Sequence, residues 1–362
     1  MLEQLIDWYQ YRFKDPNLGV LFLLLISAFL VFYFFGDILA PLFIALILSY
    51  LLDWPINWLM RYRINRNVAI VIVMSIFGAI TAFTLVGLLP TIFKQGAGLI
   101  HDLPNIFNRL QGHLLTLPLL YPDTLDANTL TNLMENARNY VVGNGGFLLS
   151  KSFSSLLNIA AVMVYAILVP LMMVFMLKDK KYLVRSLVKY LPENRKLANQ
   201  VWVEMNAQII NYIRGKIIEI LIVGISTYCA FYFMGMRYSA LLAVLVGISV
   251  LVPYIGAVIV TIPVAIVAFV QWGPSADFVY LMLAYSIIQV IDGNLIVPLL
   301  FSEAVNLHPV VIIVAVLIFG GLWGFWGVFF AIPLATLVKA VLNAWPGRAQ
   351  LNQADNKSAA AV

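Results

Sequence analysis

Two long apolar segments near the C-terminus constrain what this chain can fold into. Ser239 to Gln271 and Pro309 to Leu342 are each about 33 residues long, and Gly and Pro interrupt each of them near its middle. A straight helix of that length measures roughly 50 Å, whereas the hydrocarbon core of a bilayer is about 30 Å thick. Each segment is therefore too long for one comfortable span and too short for two full spans with a turn.

The two segments also share short sequence matches, which predicts an internal repeat. Ala-Val-Leu-Val at 243–246 corresponds to Ala-Val-Leu-Ile at 315–318, and Ile-Pro-Val-Ala at 262–265 corresponds to Ile-Pro-Leu-Ala at 332–335. Paired, interrupted membrane segments are the best sequence indication of a transporter binding site. We therefore predict broken-helix elements that involve Pro253, Tyr254, Gly256, Pro263, Pro298, His308, Gly320, Gly321, Gly324, Gly327 and Pro333.

The composition is that of a membrane protein. Hydrophobic residues make up 62% of the chain and charged residues 11%, whereas a soluble domain carries about 25% charged residues. The net charge of +5 is spread over loops, which argues against a nucleic-acid partner. The expected partners are the lipid bilayer and a small-molecule or ion substrate.

Several kinds of chemistry lack their sequence signatures. Cys229 is the single cysteine, so an intrachain disulfide and a thiolate metal cluster are both excluded. The three histidines lack metal-ligand spacing, and the chain has neither a phosphate-binding loop nor a hydrolytic constellation. We therefore expect no cofactor, no metal, no enzymatic activity and no ATP-driven pumping by this chain alone.

The distribution of apolar and charged residues predicts the order of segments along the chain. Within the N-terminal part, Leu18 to Leu52 is interpreted as a helical hairpin with its tip at Gly36-Asp37, and Val68 to Leu89 as one span. The predicted divisions are N-terminal transmembrane segments (1–89), an extracytoplasmic helical segment (90–155), a transmembrane span (156–177), a basic cytoplasmic linker (178–216), a C-terminal transport core with the internal repeat (217–342) and a disordered cytoplasmic tail (343–362).

The Lys/Arg bias of the short loops predicts the orientation. The N-terminus, the loop at 61–66, the linker and the tail are basic, so all four are placed in the cytoplasm. Both termini are then cytoplasmic, and 90–155 is outside. Each repeat segment can be a re-entrant hairpin or a broken single span, and the length argument favours hairpins.

Asp292 is the leading candidate for transport or ion coupling. An ionisable group at membrane depth costs several kcal/mol and usually faces a cavity, a partner or an ion. Gly293 and Asn294 follow it, and Gln289 precedes it by one turn. Since Gly, Asn and Asp all weaken a helix, the tripeptide predicts a local unwinding. The alternative is that Asp292 only caps the second half of a broken helix.

Other candidates have stronger structural interpretations. Glu219 is a second coupling candidate, but it can equally pair with Arg214 or Lys216 near the predicted cytoplasmic boundary. His308 is either a turn residue or part of a proton relay. The glycines at 320, 321, 324 and 327 form either a helix-packing seam or flexible backbone lining a cavity.

Several short motifs together are specific enough to indicate a family. They are Leu-Lys-Asp at 177–179, Asn-Tyr-Ile-Arg-Gly-Lys at 211–216, Val-Pro-Tyr-Ile-Gly-Ala at 252–257, Asp-Gly-Asn-Leu-Ile-Val-Pro at 292–298, Asn-Leu-His-Pro at 306–309 and Gly-Gly-Leu-Trp-Gly at 320–324. Over nearly its whole length the chain resembles the autoinducer-2 exporter-like permeases, most closely a bacterial branch of permeases.

The resemblance implies an eight-segment protein of the bacterial inner membrane that assembles as a homo-oligomer, a pentamer. It implies export or exchange of a small solute; some relatives export signalling molecules and others exchange sodium and protons. Many relatives have Glu at the position of Asp292. The prediction is thus an all-α, polytopic membrane protein with about eight transmembrane segments, including two interrupted or re-entrant C-terminal elements related by an internal repeat.

Three functions compete at this point. The first is a secondary transporter coupled to protons or sodium, the second a membrane scaffold or assembly protein, and the third a passive channel. The interrupted segments favour transport over a scaffold, because a scaffold has no need of broken helices at membrane depth. A channel would show a polar stripe along one span, and the sequence has none.

Overall fold

The fold is known from a computed structural model. It describes residues 16–114, 131–132, 135–136, 138–139, 159–189, 196–253, 255–301 and 307–344. Within these ranges all regular secondary structure is helical. Tyr254, most of the predicted extracytoplasmic segment and nearly all of the predicted tail lie outside the described residues.

Twelve α-helices are described, two pairs of which are joined by π-helical turns. They are α1 (Pro16–Met60), α2 (Arg66–Phe83), α3 (Leu89–Leu114), α4 (Ile159–Lys178), α5 (Lys180–Lys189), α6 (Lys196–Phe233), α7 (Ser239–Ser249), α8 (Ile255–Trp272), α9 (Ala276–Ile291), α10 (Val297–Phe301), α11 (Pro309–Phe329) and α12 (Ala331–Ala344). The π turns are Thr84–Leu88, between α2 and α3, and Asp292–Ile296, between α9 and α10.

Among the described residues, six helical stretches are long and apolar enough to cross a bilayer. They are Ile38–Met60, Arg66–Gly112, Gln208–Phe233, Ile255–Trp272, Ala276–Phe301 and Pro309–Phe329. Large aliphatic and aromatic side chains are exposed along these helices, as expected for surfaces that face lipid. The all-α, polytopic membrane architecture is confirmed, while the total of about eight segments stays a prediction.

The predicted hairpin at Leu18 to Leu52 is wrong. Residues 16–60 form the single helix α1, which passes through Gly36-Asp37 and includes Pro41 and Pro55. The helical hydrogen bonding continues past this pair, so the chain does not turn back on itself there. A Gly-Asp pair weakens a helix by only about 1 kcal/mol per residue, and membrane helices tolerate Gly and Pro.

Two other predicted boundaries fall inside continuous helices. The span predicted to end at Leu89 continues through the π turn at 84–88 into α3, so Pro90 does not end it. The predicted linker comprises α5 and the first half of α6, and α6 then runs without a break into the next predicted span. The position of this linker on the cytoplasmic membrane surface stays a prediction.

Both repeat segments are interrupted and reverse direction at the predicted glycines. A Cβ added at Gly256 would lie 1.8 Å from the carbonyl oxygen of Ser249, and one added at Gly327 would lie 1.8 Å from that of Phe319. In a straight helix, residues seven or eight apart are separated by about 11 Å. The chain therefore folds back in both segments. The first reversal lies between α7 and α8, and the second lies inside α11 at the Gly324 kink, so the last turn of α11 and α12 form the second arm of that hairpin. The relation of the two segments as an internal repeat stays a prediction.

The other broken-helix candidates have distinct local roles. Pro253 lies in the turn between α7 and α8, and Gly324 kinks α11 with a φ of 57°. His308 is the N-cap of α11, since its Nδ1 accepts from Val310 N–H at 3.3 Å, which fits the turn interpretation. The remaining candidates lie within helices: Pro263 in α8, Pro298 in α10, Gly320 and Gly321 in α11, and Pro333 in the first turn of α12.

We expect Gly256→Ala to destabilise the first hairpin, because its methyl group would overlap the backbone of Ser249. Relieving such overpacking typically costs about 1–3 kcal/mol. Gly78→Ala is the matched control: it lies inside α2, and nothing surrounds its added Cβ within 4 Å. Thermal unfolding in detergent should lower the Tm of the first variant only. Equal Tm values would contradict the close approach at Gly256.

The chain divides into two compact units. The first comprises residues 1–71, 168–215 and 301–362, and the second residues 72–167 and 216–300. The first unit contains an ion cluster around Asp53, whose carboxylate lies 3.3 Å from Arg66 and 2.9 Å from Lys180. Arg66 also donates to the carbonyl oxygen of Leu177 at 2.8 Å. The cluster thus holds together the ends of α1, α2, α4 and α5.

Asp53→Asn should loosen this cluster, because two cations would lose their common carboxylate. The groups are partly exposed, so we expect a loss of about 1–2 kcal/mol in stability. Asp179→Asn is a suitable control because Asp179 is exposed at the same end of the protein, next to Lys180. Limited proteolysis should cut the Asp53 variant faster than the control. Equal rates would show that the cluster is energetically neutral.

The second unit has one apolar core, which α6, α7, α8 and α9 share. Its fully buried members include Val223 and Phe231 of α6, Leu242 of α7, Val264 of α8 and Leu281 of α9. Tyr285 of α9 packs with its ring centroid 6.1 Å from that of Phe231. This packing aligns one face of α6 with one face of α9, and both faces carry polar side chains further along.

Candidate functional site: a buried carboxylate–lysine cluster

Asp292 is buried, with only 8% of its surface exposed. It lies at the first position of the π turn between α9 and α10. Its Oδ1 has no accessible surface and no hydrogen-bond partner among the described residues. The structure therefore has a buried carboxylate with a free acceptor, within a helical stretch long and apolar enough to cross a bilayer. Its role in ion coupling stays a prediction.

The predicted unwinding at 292–294 is wrong. Asp292 has helical dihedral angles (φ −57°, ψ −58°), and its N–H donates to the carbonyl oxygens of Gln289 and Ile288. Val297 N–H donates back to the carbonyl oxygen of Asp292, which closes a π-helical bond. A π turn widens a helix instead of breaking it, and such turns occur frequently at functional sites.

Glu219 forms a buried ion pair with Lys216. Lys216 Nζ lies 2.7 Å from Glu219 Oε2, and the two side chains are 4% and 2% exposed. The three-residue spacing places both on one face of α6. The pairing with Lys216 that the sequence allowed is confirmed. The burial of both groups shows that they do not reach toward water at a membrane boundary.

These three residues form one electrostatic group, the carboxylate–lysine cluster: Lys216, Glu219 and Asp292. Asp292 is close enough to Lys216, and Glu219 to Asp292, for their charges to interact through the interior of the second unit. With all three groups ionised, two carboxylates face one ammonium. The cluster then carries one excess negative charge, which is costly at this depth unless a cation neutralises it.

A line of further polar groups lies on the same two helix faces. Gln289 and Tyr285 precede Asp292 by three and seven residues on α9, and Thr227 follows Glu219 by eight residues on α6. The Nε2 atom of Gln289 and the Oγ1 atom of Thr227 are buried and lack a hydrogen-bond partner within the described residues. Tyr285 Oη lies 3.0 Å from Thr261 Oγ1 of α8. Buried polar atoms without partners often mark the place of a water or an ion.

Asn294 is not part of this arrangement. Its side chain is exposed and its amide donates to the carbonyl oxygen of Val290, at 2.9 Å, on its own helix. Sequence reasoning paired it with Asp292 because they are close in sequence, but residues two apart point to different sides of a helix. A coordinating role for Gln289 is compatible with its position.

Sequence reasoning missed three contributors, Lys216, Thr227 and Tyr285. Lys216 was considered as a possible partner of Glu219 but not as a neighbour of Asp292. Thr227 and Tyr285 carry no signal of their own, since a hydroxyl in an apolar helix can bond to its own backbone. Across the described ranges, no group of three or more His, Cys, Asp and Glu side chains could hold a metal ion.

Comparison with known proteins supports a role in membrane transport. A sequence model described as "AI-2E family transporter" matches residues 22–347. PerM of Escherichia coli (strain K12), provisionally named a permease, is 50% identical over 346 residues, which cover 96% of this chain and 98% of PerM. The names given to these proteins describe permeases and transport proteins, and none describes an enzyme.

More distant relatives carry the same kind of name. YueF of Bacillus subtilis (strain 168), provisionally named a transport protein, is 26% identical over 319 residues, which cover 85% of this chain and 84% of YueF. YhhT of Escherichia coli (strain K12), named in the same way, is 23% identical over 317 residues, or 87% of each chain. The fold, the buried charges and these matches agree, and the chain belongs to the AI-2E transporter family of multi-pass membrane proteins.

Proposed function

We propose that this protein is a secondary transporter that exports or exchanges a small solute or ion, and that cation binding at Asp292 drives it. The observation that carries the proposal is the free Oδ1 of this buried carboxylate beside the Lys216–Glu219 pair. A merely structural aspartate at this depth would have its oxygens satisfied by donors. An acceptor that remains open is instead suited to bind and release a cation during a transport cycle.

The proton is the cation that fits the cluster best. A proton needs one oxygen lone pair, and Asp292 Oδ1 offers one. A sodium ion needs several oxygen ligands, and the oxygen Glu219 Oε2 is already bonded to Lys216. The nearby ammonium of Lys216 also repels a metal cation. Proton coupling is therefore the form of the proposal that we carry forward, with sodium coupling as the alternative.

Lys216 gives the cluster two electrostatic states. When Asp292 is protonated, Lys216 and Glu219 form a neutral pair and the cluster carries no excess charge. When Asp292 is ionised, the carboxylates of Asp292 and Glu219 share the Lys216 ammonium. The interaction of each carboxylate with that ammonium is then weaker. Proton binding thereby changes the interaction between α6 and α9. Such a change can bias two conformations of the second unit, as a coupled transporter requires.

A flux assay tests the proposal. Purified protein in liposomes that enclose a pH-sensitive dye is exposed to gradients of candidate solutes and of sodium. We expect at least one solute or ion gradient to move protons, and a pH gradient to move that substrate in return. A substrate that equilibrates without any proton movement, at any pH, would identify a passive channel and contradict the proposal.

The family resemblance and the charge distribution support a proposal for the orientation and the assembly. We infer a homo-oligomer, a pentamer, in the bacterial inner membrane with both termini cytoplasmic. Lys189, at the end of the basic helix α5, would then face the cytoplasm. In a Cys229→Ser background, Lys189→Cys should resist membrane-impermeant thiol reagents on intact cells and react after lysis. Labelling on intact cells would invert the orientation.

A further inference from the structure

A cleft in the second unit lies apart from the carboxylate–lysine cluster. Its volume is about 340 Å³, which suits a small molecule. It is bounded by one face of α3, by the turn between α6 and α7, and by the last turn of α8. The polar side chains that line it are Asp102, Asn105, Asn108 and Arg109 of α3, Arg237 and Tyr238 of the turn, and Gln271 of α8.

The turn that carries Arg237 is held in place by side chains from two helices. Gln271 accepts from the backbone N–H of Arg237 and donates to the carbonyl oxygen of Gly235, both at 2.8 Å. Tyr238 has a left-handed backbone conformation with a φ of 57°, which is uncommon for a non-glycine residue. Strained residues of this kind persist only where their surroundings fix them, and they cluster at functional sites.

Tyr238 is held in this conformation by a hydrogen bond from its hydroxyl to Asp102 Oδ2, at 2.6 Å. Burial and the neighbouring Asp102 carboxylate raise the pKa of Tyr238 to about 12, so the hydroxyl remains a donor at physiological pH. The negative charge of Asp102 is thus engaged by this hydroxyl on one side of the cleft. Two arginines, Arg109 and Arg237, supply the remaining charges of the lining.

We propose that this cleft binds a small solute through an oxyanion group, a carboxylate or a phosphate. Two guanidinium groups against one engaged carboxylate give the cleft a net positive charge. Guanidinium forks match carboxylate and phosphate oxygens in bidentate geometry, which favours arginine wherever such groups are recognised. Asn105 adds an amide that can bond to a hydroxyl or carbonyl group of the same solute.

The same oxyanion chemistry is offered by two sources, a soluble solute and the headgroup of an anionic lipid. Binding is therefore measured by calorimetry on purified protein in nanodiscs of phosphatidylcholine, titrated with inorganic phosphate and with succinate. A second arm repeats the titration in nanodiscs that also contain phosphatidylglycerol. Competition by the lipid would show that the cleft accepts headgroup phosphate as well, and it supports the oxyanion site.

Matched variants tie the binding to the cleft. We expect Arg109→Gln and Arg237→Gln each to raise the Kd for the anion about tenfold, as the loss of one charge-assisted contact implies. Arg109→Lys should be intermediate, since it keeps the charge and loses the fork. Lys94→Gln is the control, because it removes an exposed cation from the same helix outside the cleft.

Two outcomes would overturn the proposal. One is the absence of binding by phosphate, succinate and the anionic lipid alike in the wild-type protein. The other is an equal loss of affinity in Lys94→Gln and Arg109→Gln, which would indicate only a general effect of charge. Asp292→Asn should bind the anion as the wild type does, so this result is independent of proton coupling at the carboxylate–lysine cluster.

Discussion

We expect Asp292→Asn to abolish proton-coupled flux while the protein still folds and inserts. The amide keeps the shape and the hydrogen-bonding capacity of the side chain. It cannot take up and release a proton, so the coupling proton can no longer bind at the free Oδ1 position. In liposomes, proton movement driven by a substrate gradient should fall to the level of protein-free vesicles. Size-exclusion chromatography should show an unchanged elution profile.

Two further variants separate coupling from structure. Asp292→Glu should retain partial activity, because it keeps an exchangeable carboxyl group. Asp277→Asn, an exposed carboxylate in the first turn of α9, should be fully active and serves as a control on the same helix. Full pH-dependent flux in Asp292→Asn would reduce Asp292 to a structural residue and make Glu219 the coupling candidate.

Lys216→Met should be the most destabilising single substitution of the site. It leaves two buried carboxylates that interact with each other and no cation to offset them. Removing one partner of a buried ion pair typically costs about 3–5 kcal/mol. Thermal unfolding in detergent should show a markedly lower Tm, and the loss should lessen as the pH is reduced because the carboxylates can then be neutralised.

The double variant Lys216→Met/Glu219→Leu isolates the electrostatic cause. Replacing a buried ion pair by apolar residues of similar volume is often neutral or stabilising. The double variant should therefore recover most of the Tm that the single variant loses. If it is as unstable as Lys216→Met alone, the methylene chain of Lys216 contributes through packing and the electrostatic interpretation fails.

Sequence reasoning succeeded where chain length limited the possible structures. An apolar segment of about 33 residues cannot cross a bilayer comfortably once or fully twice. This mismatch predicted a reversal near the internal glycines, and Gly256 and Gly327 do make backbone contacts that only glycine allows. The same reasoning could not fix the span count, which depends on how each hairpin sits in the bilayer.

Sequence reasoning failed where local residue preferences were taken as decisive. Gly36-Asp37 and Asp292-Gly293 both weaken a helix, yet α1 continues through the first pair, and the second begins a π turn. The cost of such residues is about 1 kcal/mol each, which tertiary packing easily exceeds. Local composition alone cannot distinguish a break, a π turn and a continuous helix.

Contacts between distant parts of the chain were also out of reach. Glu219 and Asp292 were singled out separately because each is an acid in an apolar helix. Lys216 and Glu219 lie one turn apart on α6, but that Asp292 also interacts with Lys216 follows only from the packing of α6 against α9. The cleft at Arg109 and Arg237 likewise depends on how Gln271 and Asp102 hold the turn before α7.

Infrared difference spectroscopy of the protonated carboxyl group tests the central claim most directly. In the wild-type protein in lipid, lowering the pH should produce the C=O stretching band of a buried carboxylic acid, and raising the pH should remove it. We predict that this band is absent from Asp292→Asn and retained in Asp277→Asn. An unchanged band in Asp292→Asn would place the exchangeable proton elsewhere and contradict the account.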